Sequence, residues 1–342
     1  MAHHMEKVTV LIPTYNHGSV VAYQIDSLLK QSSLPRRIVI LDDGSTDNTS
    51  EILAKYRDFP AITVLRHEKN LGIHAAIGTL LNHVDTEFFA FAAADDMLAA
   101  GWCQTTAALL EKYQDARMVV SNSFILEGQR AFVTDAVAAL KGKPEGIYEP
   151  SQFADLIKRR GTLPPTNTIL YRSNIIEELI RPILSRKDLG SLIDVILILA
   201  IATKYPVAYS IHPAGLFIRD NESYGNVFYS KDHLSQLLER IETFSNEQGQ
   251  RIDKRLVEFL SDFIAYSWGK KMILAELHER SKGLGGLGFG SVCLIRLIGA
   301  FIRHKRYKFL KLNSSSRKIQ FRELSKLIHG GLLERVAASV VR

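Results

Sequence analysis

Apolar positions in the first hundred residues follow two alternating periods. Short runs rich in β-branched and aromatic residues lie at 7–13 (KVTVLIP), 37–43 (RIVILDD), 61–67 (AITVLRH) and 87–96 (EFFAFAAADD). Between them, residues 19–32, 46–58 and 72–84 place apolar side chains at helical spacing, as with Val21, Ile25, Leu28 and Leu29. Strands alternating with amphipathic helices predict right-handed βαβ units, an α/β fold and a parallel sheet. The strands are apolar almost without interruption, which suits a sheet covered on both faces.

Beyond residue 100 the pattern loosens. A helix is predicted over 101–114, a strand over 116–126, a Gly/Pro-punctuated loop over 127–150 and a strand over 166–173. Residues 190–205 (GSLIDVILILAIATKY) predict a strongly apolar helix with one acid, Asp194, and residues 207–220 a strand. From about residue 230 the chain reads as helical. There is no internal repeat and no low-complexity tract.

Composition changes this picture in one place. The net charge of +7 comes from the end of the chain: residues 281–342 carry 13 Lys/Arg against 2 Asp/Glu, and the rest of the chain is net acidic. The basic region therefore needs an anionic partner or a solvated face to explain it. Within it, residues 284–302 are apolar apart from Arg296 but contain five glycines, and RHKRYKFLK follows at 303–311. Arg296 and the glycines argue against a membrane span. Two readings stand level: peripheral contact with an anionic membrane through 284–311, or a helical subdomain with a solvated basic face. Nucleic acid is not an expected partner, because no recognition module accompanies the charge. The two cysteines, Cys103 and Cys293, show neither CxxC nor metal-ligand spacing, so a reducing, cytoplasmic setting is expected. The opening MAHHMEKV looks like the remnant of a His-tag, and residues 1–6 are set apart as disordered, with no secretory signal after them.

The chemistry gathers at strand ends. In an open parallel sheet, ligands bind at the carboxyl ends of the strands. Two early strands end in paired acids, Asp42-Asp43 and Asp95-Asp96, and the first ends in Pro13, Thr14, Tyr15 and Asn16. Brought to one edge, these residues give an aromatic platform beside four carboxylates. Such a cluster needs a cation or hydrogen-bond donors to offset its self-repulsion. Oxygen-only ligands suit Mg²⁺ or Mn²⁺ bridging carboxylates to substrate phosphates. Each piece also has a plainer reading, since DDGST makes a good turn and helix cap and Tyr15 alone could simply be packed.

VTVLIPTYN (8–16), IVILDDGSTDNT (38–49), KNLG (69–72) and FFAFAAADD (88–96) resemble, in order and spacing, the N-terminal blocks of family 2 glycosyltransferases. The resemblance is strong over residues 7–100, weaker to about 225, and absent after that. It implies a GT-A (Rossmann-like), mostly parallel sheet flanked by helices over 7–228, beside which the pattern and charge of 229–342 predict a helical, basic C-terminal extension. It implies that Pro13, Thr14, Tyr15 and Asp43 grip the base and ribose of a nucleotide-sugar, with Asp42 shaping the turn. Asp95 would bond the ribose or share the metal, Mg²⁺ or Mn²⁺, with Asp96. Arg219 would meet the diphosphate, and Asp194 would be the catalytic base. The chain departs from the family pattern at Ala93, Ile77 and Gly78, where an Asp, an Arg and an Asn often stand.

The implied activity is inverting transfer of a sugar from a nucleotide-sugar, a UDP-sugar foremost, to the hydroxyl of a glycan or lipid-linked acceptor. That would serve cell-surface polysaccharide or glycolipid synthesis, at the inner membrane face if the basic region binds there. The alternatives are a catalytically silent nucleotide-sugar-binding scaffold and a nucleotidyltransferase.

Overall fold

The computed structural model describes residues 3–127, 130–134, 144–153, 156, 164, 166–186 and 193–219. The chain divides into two compact units, and every described residue belongs to the first, 1–227 with 239–260. The C-terminal region from 229, including the 284–311 stretch, lies outside the described residues.

The first half follows the βαβ rhythm of the sequence. β1 (His3–Thr14), α1 (Val21–Leu29), β2 (Ser33–Asp42), α2 (Thr49–Ala54), β3 (Ile62–Arg66), α3 (Ile73–Leu81) and β4 (Phe88–Phe91) succeed one another. β1 starts inside the stretch set apart in the sequence reading, and pairs His3 with Ser33. These four strands form a parallel block in the order β3-β2-β1-β4.

The second half is mixed rather than parallel. β5 (Met97–Leu98), α4 (Trp102–Lys112), β6 (Met118–Glu127), β7 (Arg130–Thr134) and β8 (Gly146–Tyr148) come next. After them come a 3₁₀ turn (Thr166–Thr168), β9 (Leu170–Arg172), a π-helical turn (Ile176–Ile180), α5 (Arg181–Leu184), α6 (Ile193–Lys204) and β10 (Val207–Arg219). The full order is β3-β2-β1-β4-β9-β6-β10-β5, with β7 on β6 and β8 on β10. β9 lies antiparallel between β4 and β6, so β6 and β10 again run with β4. The stretch 127–150, read as a loop, supplies β7 and β8 instead.

Alternation along the strands divides the core. Val8, Val10, Ile12, Ile38 and Ile40 pack with Val21, Ile25 and Leu28 of α1 and Trp102, Ala107 and Leu110 of α4. Leu11, Val39 and Leu41 are equally buried from the other face, where α3 covers β1 and β2. Each such side chain contributes roughly 1.5–3 kcal/mol of burial. In α6 every residue from Ile196 to Ala202 is buried, as expected of a helix apolar all round. No helix among the described residues is long and apolar enough to cross a membrane.

Candidate functional site at the carboxyl edge of the sheet

The parallel register brings the predicted residues to one edge. Thr14 pairs with Asp42 and Asp42 with Arg66, while Leu11 pairs with Phe91, after which the chain turns into Asp95 and Asp96. Pro13 lies past the last β1–β4 pair, where one side of β1 is open and a strand tolerates proline. Arg219 closes β10 opposite Glu127 at this same edge.

The three acids of DDGSTD do different work. Asp42 is 1% exposed and accepts from Ser45 N–H at 2.8 Å and Arg66 Nη1 at 2.7 Å, and from the Ser50 hydroxyl. Burial alone would raise its pKa, but hydrogen bonds from Ser45 and Ser50 and the charge of Arg66 outweigh it and hold the carboxyl below its usual range. Asp47 accepts from Gly18 N–H at 3.0 Å and Thr49 N–H at 3.0 Å, tying the loop after β1 to the start of α2. Asp42 and Asp47 therefore organise the turn.

Asp43 faces the loop after β3. Its Oδ1 accepts from Leu71 N–H at 3.0 Å and its Oδ2 from Gly72 N–H at 2.8 Å, while His67 Nδ1 lies 2.6 Å from Oδ1. With Nδ1–H donated to the carboxylate, His67 Nε2 accepts from Thr79 Oγ1 at 3.1 Å, which links α3 to the same group. Gly72 has φ +85° and Gly44 φ +70°, backbone that L side chains rarely adopt. A Cβ on Gly44 would come within 2.4 Å of the Lys69 carbonyl carbon, so the two loops touch through backbone. His67 was missed in the sequence reading. Its signal is position, directly after an apolar strand beside the one carrying Asp43.

Around this hub, Thr14 is buried and its carbonyl accepts from Asp43 N–H at 2.9 Å. Tyr15 is 40% exposed, so its ring is available at the edge. Asn16, with φ +56°, receives Thr46 N–H on Oδ1 at 2.9 Å and gives its own N–H to Ser45 Oγ at 2.9 Å.

Asp95 and Asp96 leave β4 in a turn, although the sequence reads as strand through residue 96. Asp95 is half-buried and has no hydrogen-bond or ion-pair partner among the described residues. Asp96 is 3% exposed and accepts from Asn167 Nδ2 at 2.8 Å. No group of three His, Cys, Asp or Glu able to hold a metal occurs among the described residues. Two adjacent carboxylates do fit a Mg²⁺ or Mn²⁺ whose remaining ligands are phosphate oxygens and water, because such ions ordinarily take only one or two protein carboxylates.

Asp194 is exposed in the first turn of α6. Burial pushes the Tyr171 phenol strongly up, and the negative charge of Asp194 adds to that push, so Asp194 lies within electrostatic reach of β9. At the other end of the helix the Tyr205 ring lies 4.9 Å from the guanidinium of Arg117, at the start of β6. Ten residues of helix rise, about 15 Å, separate Asp194 from that end.

A cavity of about 570 Å³ lies at the opposite edge, lined by residues that include Lys7, Glu87, Glu111, Arg117 and Arg172. Its charges are satisfied internally, with Lys7–Glu111 at 2.7 Å and Arg172–Glu87 at 2.8 Å.

Glycosyl transferase family 2 matches residues 9–156. Among curated relatives, glycosyltransferase GlyA of Streptococcus pneumoniae is 29% identical over 119 residues, 35% of this chain and 17% of the relative. Poly(ribitol-phosphate) β-N-acetylglucosaminyltransferase TarS of Staphylococcus aureus is 26% identical over 181 residues, 51% of this chain and 29% of the relative. The chain thus spans less than a third of the length of these two. The solved structure of S. aureus TarS 1–349 with UDP-GlcNAc superposes with a TM-score of 0.58 at 19% identity, covering 76% of this chain and 73% of that one. The mannosyltransferase PcManGT of Pyrobaculum calidifontis, in complex with GDP-Man and Mn²⁺, gives 0.51 at 14% identity, covering 88% and 82%. Both likenesses are of fold. Residues 9–156 thus match the glycosyl transferase family 2 model, and the sheet anticipated from the motifs has the GT-A fold of these structures.

Proposed function

We propose that this chain transfers a sugar from a nucleoside-diphosphate sugar to an acceptor hydroxyl, with inversion and with help from a divalent metal. The observation that carries the reading is the shared edge: Tyr15, Asp43, Asp95 and Asp96 all follow the carboxyl ends of neighbouring parallel strands. Tyr15 offers a face to a base, and Asp43, held by His67, Leu71 and Gly72, presents a fixed acceptor beside it. Pro13 and Thr14 would line the nucleotide beside them, and Arg219 is proposed to meet the diphosphate.

Asp95 and Asp96 would hold Mg²⁺ or Mn²⁺, whose chemistry when bound is to offset charge on the departing nucleoside diphosphate. Asp194 would take the proton of the acceptor hydroxyl as it attacks the anomeric carbon on the face opposite the leaving group. The TarS and PcManGT complexes make UDP- and GDP-sugars the donors to try first, and the name of TarS makes a poly(ribitol-phosphate) the first acceptor to try.

The test is nucleotide release from a panel of UDP- and GDP-sugars with Mn²⁺, Mg²⁺ or EDTA, with and without polyol-phosphate or glycan acceptors. Release that needs metal and rises with acceptor is the expected outcome. Nucleotide binding without turnover on any donor would favour the silent scaffold, and equal release in EDTA would remove the metal from the reading.

A further inference from the structure

We propose that Asn167 is a positioning residue for Asp96, a role that rests on the reading of Asp96 as a metal-side carboxylate. The main chain at Asp96 is already fixed, because Met97 and Leu98 pair with Leu216 and Gly215 of β10. Asn167 Nδ2 acts on the carboxylate itself, donating to Oδ2 at 2.8 Å.

Asn167 is itself rigidly carried. It is 5% exposed and sits at the centre of the 3₁₀ turn Thr166–Thr168. Trp102 Nε1, 1% exposed, donates to Thr168 O at 2.9 Å, and Thr168 Oγ1 lies 3.4 Å from Ser121 O. The backbone of Gly215 presses on the turn from β10. A Cβ there would stand 2.8 Å from Thr168 Cγ2, 3.1 Å from the Met97 carbonyl oxygen and 3.6 Å from Asn167 Nδ2.

Two features favour a role in the site over simple packing. The donor is neutral: it orients the carboxylate without cancelling the charge a cation requires, which a Lys or Arg would do. And Asn167 Oδ1 is buried with no hydrogen-bond partner among the described residues, an uncompensated desolvation that a residue selected for stability alone would not carry.

The experiment is titration calorimetry of UDP with and without Mn²⁺ on the full chain and on the variants Asn167→Leu and Trp102→Phe. The wild type is expected to bind UDP more tightly with Mn²⁺. Asn167→Leu is expected to cut that metal-dependent gain about tenfold or more, with metal-free UDP affinity unchanged. Trp102→Phe, which removes the donor to Thr168 O that anchors the turn, is expected to cut it partly, and it decides the matter if Asn167→Leu fails to fold. A gain that survives in the folded variant overturns the positioning role alone. A wild type to whose UDP affinity Mn²⁺ adds nothing overturns the metal-side reading of Asp96, and this inference with it.

Discussion

Asp42 and Arg66 meet at 2.7 Å across adjacent strand ends, yet the Asp42 side chain is 2% exposed and the Arg66 side chain 45%. The pair is therefore unequal. Asp42→Ala leaves buried donors of Ser45 and Ser50 without an acceptor and should lower stability by about 3 kcal/mol. Arg66→Ala leaves a carboxylate still held by the two serines and should cost about 1 kcal/mol. Urea denaturation of the two variants measures the contrast, and equal losses would contradict it.

The same carboxyl gives stability a pH dependence with a defined sign. Its folded pKa is depressed, so its contribution is full above the ordinary carboxylate value of about 4 and is lost as pH falls through the lowered folded value. The stability difference between wild type and Asp42→Asn should shrink as the medium is taken below about pH 4. A difference that stays constant through that window would show that the charge is not what Asp42 contributes.

Two glycines should respond oppositely to alanine. Gly78 lies inside α3 with open space where a Cβ would go, so Gly78→Ala should stabilise by up to about 1 kcal/mol. Gly44, at φ +70° and against the Lys69 backbone, should lose about 2 kcal/mol or more as Gly44→Ala. Thermal denaturation of both separates the signs.

Tyr15→Ala should weaken UDP binding by 1–3 kcal/mol, about tenfold or more, if a base stacks on the exposed ring. The melting temperature should hardly move, because the ring is 40% exposed and packs little. Intact UDP affinity would remove Tyr15 from the site.

Asp194→Asn should reduce turnover by about a hundredfold or more and leave UDP affinity in place, the division expected of a general base that faces the acceptor. Turnover equal to wild type would dismiss Asp194 as base.

The parallel half of the fold was legible because its information is local. Residues 38–41 and 88–91 are apolar without a break, and turn residues follow each strand. The mixed half was not legible. β9 is three residues long, and its insertion between β4 and β6 depends on partners far along the chain. The site divided the same way. Tyr15, Asp43 and Asp95-Asp96 announced themselves by motif, whereas His67 and Asn167 enter through loops whose approach no spacing encodes. The acids also looked alike in sequence. Burial and donors separate Asp42, which organises the turn, from Asp95, which has no protein partner among the described residues.

β1 lies between β2 and β4 in the sheet, although it precedes both in the chain. In order of synthesis it gains one neighbour when residues 33–42 emerge and the other only at 88–91. Until then a long apolar strand has one side unpaired, the kind of edge that other chains can join. Fragments ending before residue 88 should therefore self-associate where longer ones do not, since the open edge persists through some fifty further residues of growth.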